Sequence, residues 1–168
     1  MDAYLIDSDD LKAISLINNN VEDSIIRVTI QRVQKAVVRP ILGTLLYKRL
    51  VKGIEDDDLN ADEVILLEDY IAPLMAAACD RKAINHTTYQ IRNKTTGKGL
   101  DQNITAVDQG ENLRLDNDIR QDVEVAKADL IGFLLDNCDK YPEYKDYQAS
   151  YENQPPLTKK KYNGISFI

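Results

Sequence analysis

Four groups of residues have the types and spacing that could do chemistry. Asp56, Asp58, Asn60 and Asp62 stand at alternate positions, the spacing of the first oxygen ligands in a calcium-binding loop. That loop needs glycine at its sixth position, for a sharp turn, and a bidentate glutamate at its twelfth, where this chain has Ala61 and Leu67. A solvated acidic loop is the expectation, with weak divalent-ion binding the residual alternative. Gly97-Lys98-Gly99 resembles a fragment of a phosphate-cradling loop. The complete motif places glycine five residues before the Gly-Lys pair and Ser or Thr after the lysine; Arg92 and Gly99 occupy those places. His86 is the only histidine, and no G-x-S-x-G nucleophile motif accompanies it, so a capping or surface role is expected. Cys79 and Cys138 match no metal or redox spacing and are expected to be free thiols, buried in a reducing compartment. The chain is expected to have no catalytic residues, no metal site and no cofactor.

Charge points to surfaces instead. The net charge is −7, which argues against a protein whose main task is to grip nucleic-acid phosphates. Arg92, Lys94, Lys98 and Lys159-Lys160-Lys161 are too dispersed for a dedicated site, and stacking partners beyond Tyr89 are sparse. Residues 21–54 hold seven basic side chains (Arg27, Arg32, Lys35, Arg39, Lys48, Arg49, Lys52) against two acids. Residues 55–70 hold eight acids, Asp56, Asp57 and Asp58 among them, and no base. Solvated faces are the default reading of such blocks. A head-to-tail interface, in which one side of a subunit meets the opposite side of the next, can use the same separation.

The elements that position these charges read as helices. The chain has 168 residues, 43% hydrophobic and 29% charged, the balance of one globular domain. It has no apolar run long enough for a membrane span and no secretory signal pattern. Ser8-Asp9-Asp10 precedes Leu11, Ile14 and Ile17, a short capped helix. Ile26, Ile30, Val33 and Val37 predict a helix over 22–38, ended or kinked by Pro40. Gly43 allows a left-handed turn before a short helix over 45–52 that Gly53 closes. Leu67, Ile71, Leu74 and Ala78 mark the strongest helix, 62–85, kinked at Pro73. Thr87, Thr88, Tyr89 and Ile91, then turn residues 95–99, then 104–107, predict an extended hairpin or arm over 86–107. Ile119, Val123, Ala126, Leu130 and Phe133 predict a last long helix, starting near 111 or 117, running to Cys138 and stopped by Tyr141-Pro142. The division is a helical domain over 1–150, including the arm, and an extended tail over 151–168. The tail carries the lysine trio and ends in Ile165-Ser166-Phe167-Ile168, an apolar tip suited to docking on its own domain or to strand addition.

Several runs line up with a known family: Arg39-Pro40-Ile41-Leu42-Gly43-Thr44-Leu45-Leu46-Tyr47, Asp69-Tyr70-Ile71-Ala72-Pro73-Leu74, Tyr89 to Lys94 with Gly97, and Tyr141-Pro142-Glu143-Tyr144. In this order they resemble the small head–tail connector (adaptor or neck ring) proteins of tailed phages, especially those infecting Bacteroidetes, the crAss-like group included. The resemblance covers about residues 5–147. It implies a mainly α subunit, a bundle of about four to five helices with a protruding β-hairpin arm and an extended tail. Such subunits form a ring, expected to be twelvefold, stacked on the portal. The ring extends the DNA channel without binding DNA specifically and docks tail or further neck proteins. The expected location is the neck of a virion, after synthesis in the host cytoplasm. The expected interaction residues are Arg92, Asn93, Lys94, Gly97 and Lys98 of the arm and Ile165, Phe167 and Ile168 of the tail. The expected ring contacts are Arg27, Arg32, Lys35 and Arg39 against Asp56, Asp57 and Asp58. The alternatives are another neck or tail-completion ring protein, or a helical regulatory or adaptor protein of the host.

Overall fold

A computed structural model describes residues 3–17, 21–88, 90–91, 96–97 and 109–152, with side chains placed for 3–17, 21–83, 114 and 116–147. The fold is mainly helical. Helix α1 spans Ser8–Ile14 and α2 spans Asp23–Val33. The chain then widens into a π-helical turn, Gln34–Val38, and continues as α3, Arg39–Asp56. Helix α4, Ala61–Ile65, leads through a second π-helical turn, Leu66–Ile71, into α5, Ala72–Thr88. After the described pieces at 90–91 and 96–97 come α6, Gln109–Asp136, a 3-10 turn, Cys138–Lys140, and α7, Pro142–Glu152.

The two π turns share one cause. A proline lacks the N–H that would bond the carbonyl four residues back, and its ring clashes with that carbonyl. Arg39, just before Pro40, donates its N–H to the Gln34 carbonyl. Ala72, just before Pro73, donates to the Leu67 carbonyl. Both bonds reach five residues back, so each turn is wide enough to move the displaced carbonyl aside. Helical structure therefore continues past Pro40, where sequence pattern predicted an end or a kink, and past Pro73, where it predicted a kink inside the helix. The first π turn also changes which side chains face inward. Val37 is only half-buried, while Gln34 and Val38 are buried.

Gln34 is satisfied on all sides. Its amide donates to the Ala3 carbonyl and the Tyr47 hydroxyl, and its oxygen accepts from Leu5 N–H at 3.0 Å. A buried amide left without partners would cost about 1–3 kcal/mol, so this network fixes the N-terminal segment on α3.

The real break in the third helix falls at Gly43, with φ 76° and ψ 169°. The helix then resumes past Gly53, which lies inside it rather than at its end. Termination comes at Asp57, in the left-handed region at φ 53°. A side chain at Gly53 would meet Leu59, which folds back over it. Asn60 then starts α4 with a capping box, its side chain accepting from Glu63 N–H while Glu63 accepts from Asn60 N–H, both at 2.9 Å.

One core joins the helices. Ile26, Ile30 and Val33 of α2, Leu42, Leu46 and Leu50 of α3, Leu74, Met75 and Cys79 of α5, and Leu130 and Leu134 of α6 are all buried in it. Each such aliphatic chain contributes about 1.5–3 kcal/mol relative to exposure. α6 lies along α5, and α7 crosses α3.

Three further expectations need correction. The strand predicted from Thr87 and Thr88 is the end of α5. Between 86 and 107 the described residues show only that helix end and two antiparallel pairs, Gln90 with Gly97 and Ile91 with Thr96. That does not support a protruding hairpin arm. The last long helix starts earlier than predicted, at Gln109, and ends at Asp136, before Cys138. Residues 142–152, not predicted as helix, form α7 with Pro142 as its first residue, where a missing N–H costs nothing.

Candidate functional site

The candidate site is a set of surfaces, built from the charge blocks and two grooves. Arg27 and Arg32 lie exposed on α2, Lys35 on the first π turn and Arg39 at the start of α3. Asp56, Asp57 and Asp58 lie exposed at the other end of α3. Arg39 and Asp56 thus stand at most about 25 Å apart along α3 by its helical rise, while Lys48, Arg49 and Lys52 of the basic block lie on the helix between them. Arg39 also lies over the Tyr47 ring, 5.8 Å from its centre. Alongside the basic block, Ile14, Leu16, Ile25 and Val28 are exposed apolar side chains on and beside α1 and α2. Lys12 and Asp23 join those helices through an ion pair of 2.6 Å, which holds the Asp23 carboxyl below its ordinary value.

The acidic loop has its own partners. Arg49 donates to the Asp58 carbonyl at 2.7 Å and pairs with the buried Glu63 at 2.8 Å. Asn60 is engaged as the α4 cap, and Asp62 pairs with Lys140 at 2.8 Å. Asn60 and Asp62 are therefore committed within the fold rather than gathered as calcium ligands. Among the described residues no group of three His, Cys, Asp or Glu side chains is placed to hold a metal ion. Cys79 is a free, buried thiol, pushed up to about 12 by burial and then by Asp80, which leaves it unreactive as a nucleophile. Cys138 is free and half-buried. The His86 side chain lies outside the described side chains.

The first groove, about 600 Å³, lies where α7 crosses the break in α3. Val37, Pro40, Ile41, Val123, Tyr144 and Tyr147 line it. Here α7 meets the first of the resembling runs: the Tyr147 ring lies against Gly43, and its hydroxyl donates to the Pro40 carbonyl at 3.1 Å. The second groove, about 510 Å³, lies between the second π turn and the C-terminal half of α6. Its wall is a stack of Tyr70 on Phe133, ring centres 4.0 Å apart, with Tyr141 edge-on to Phe133. The Tyr141 hydroxyl donates to the Asp62 carbonyl at 2.8 Å, and burial, then Asp62, pushes its pKa up to about 12.

Neither groove was foreseen. The second had a signal: Asp129, Gly132, Phe133 and Asp136 recur at steps of three, one and three, one face of a helix. Of the predicted contact residues, Arg92, Asn93, Lys94 and Lys98 of the arm and Ile165, Phe167 and Ile168 of the tail lie outside the described residues. The Gly97 backbone belongs to the short ladder.

With this geometry the chain is a helical protein whose described surface offers charged faces and grooves. It belongs to a family of unknown function, DUF6712, whose model matches residues 38–154. The match begins at the end of the first π turn and covers the lining of the second groove and that of the first apart from Ala36 and Val37. No curated protein and no solved structure matches the chain. Among the described residues no helix is long and apolar enough to cross a membrane.

Proposed function

We propose that the chain is a structural subunit of a tailed-phage neck, a head–tail connector that forms a ring on the portal by head-to-tail contact between copies. The observation that carries this reading is that Arg27 and Arg32 of α2 and Arg39 at the start of α3 stand apart from Asp56 and Asp57 at the far end of α3. A heterologous interface needs two different complementary faces on one subunit, and such a contact closes into a ring when its rotation permits. The exposed Ile14, Leu16, Ile25 and Val28 add the apolar area that a charged rim alone lacks. The resemblance to connector proteins supplies the class. The ring lengthens the DNA channel, docks tail or further neck proteins, and holds no phosphate in place, consistent with the net charge of −7.

The test is made in particles. The chain should appear between head and tail in virions. Arg32→Glu with Arg39→Glu, or Asp56→Lys with Asp57→Lys, should each reduce tailed particles, and all four changes together should restore them. Absence of the chain from virions, or assembly indifferent to both reversals, would overturn the reading.

A further inference from the structure

The groove between the second π turn and α6 has three features that folding does not account for. Asp69, Asp129 and Asp136 converge on it, all exposed. Elsewhere acids beside a cation are paired: Asp23 with Lys12, Asp62 with Lys140, Asp139 with Lys145. None of the three groove carboxylates forms an ion pair among the described residues. Like charges around one concavity repel and favour a cation placed between them.

The second feature is Gly132. It lies inside α6, where glycine costs about 0.5–1 kcal/mol relative to alanine. A Cβ there would meet nothing within 4 Å, so no neighbour demands the glycine. Its absent side chain leaves the groove open. The third feature is the Tyr70–Phe133 stack, an apolar wall beside the carboxylates, suited to the methylene stem of a lysine.

We propose that this groove is the docking site for the chain's own tract Lys159-Lys160-Lys161-Tyr162, folded back from the end of α7. Three positive charges meet three negative ones, and Tyr162 can extend the aromatic wall. The reach is sufficient. Helix α7 starts beside the groove, because Tyr141 is edge-on to Phe133, and its 11 residues lead away from there. That run is about 16 Å of helix, and the seven residues from 153 to 159 can return about 23 Å when extended. A tether this short raises the local concentration of the tract to the order of millimolar, so the tract of the same chain outcompetes that of a second copy in dilute solution. This inference does not rest on the ring reading, since it concerns one free chain.

The experiment uses the full chain at low concentration, isotopically labelled and unlabelled protein mixed, with zero-length carbodiimide cross-linking and peptide mapping. The expected result is amide bonds from Lys159, Lys160 or Lys161 to Asp69, Asp129 or Asp136 within one chain, lost at high salt. Gly132→Leu fills the groove without changing charge or helix propensity for the worse, and should abolish the links. Asp129→Asn with Asp136→Asn, a pair of exposed changes that leaves the core untouched, should speed trypsin cleavage after the lysine trio by about tenfold, because cleavage follows the undocked population. Links only between labelled and unlabelled chains, links to other carboxylates, or cleavage unchanged in both variants would overturn the proposal.

Discussion

Gly43 and Gly132 have opposite reasons to be glycine, and the regions around them differ accordingly. Gly43 sits at φ 76°, and a Cβ there would lie 2.6 Å from the Tyr147 ring. Both the backbone angle and the crossing of α7 over α3 require its absence of a side chain. Gly132 lies in an ordinary helix with open space where a Cβ would go. The α3–α7 crossing is closed packing, in which glycine is a condition of the fold. The α5–α6 face has spare volume, and glycine there weakens the helix with no return in packing. A residue type alone does not say which case applies; only its surroundings do.

The largest expected effect tests the closed region. Gly43→Ala should destabilise the fold by about 3 kcal/mol in chemical denaturation, the sum of left-handed strain and overpacking. In a Tyr147→Ala background the same change should cost only about 1–2 kcal/mol, since the clash is gone and the backbone strain remains. Equal costs in both backgrounds would mean that the crossing does not constrain Gly43. The open region predicts the opposite sign. Gly132→Ala should raise stability by up to about 1 kcal/mol, read from the denaturation midpoint at constant slope. A loss there would show that the groove is not open.

The smallest effect concerns how α5, one wall of the α5–α6 face, is anchored. Asp80 accepts the Leu16 N–H at 2.9 Å and is 8% exposed. Burial raises its carboxyl above the ordinary 3.8, with the Leu16 bond opposing that rise. The folded chain therefore binds this proton more tightly than the unfolded chain, and stability should fall as pH climbs from 3.8 through the raised value. Asp80→Asn keeps an acceptor for Leu16 and should flatten that part of the pH–stability curve. An unchanged slope would remove Asp80 as its source.

Much of the helical organisation was legible from apolar periodicity. The stripe Leu67, Ile71, Leu74 and Ala78 is buried, as are Ile26, Ile30, Val33, Ile119, Val123 and Leu130. At Pro40 the alternative of a helix end was wrong, because a local rule at a missing N–H does not foresee that the helix can widen and continue. Here a five-residue turn absorbs the defect, at a cost that core burial on both sides offsets. Helix α7 was missed because its polar and aromatic residues carry no strong stripe. What holds it are Tyr141, Tyr144 and Tyr147 set against distant parts of the chain. The charge blocks were visible as composition. The setting of Arg39 and Asp56 at opposite ends of α3 and the existence of both grooves were not.

By itself, then, the sequence determined that the chain builds amphipathic helices with basic and acidic stretches between and upon them. Those properties follow from local spacing and side-chain type, which any short window contains. Tertiary structure alone decided that the helix continues past Pro40, that Gln34 is buried among Ala3, Leu5 and Tyr47, and that Asp69 faces Asp129 and Asp136 across one groove. Each of these depends on atoms far apart along the chain brought together when the shared core excludes water, and that non-directional force has no signature in any single segment.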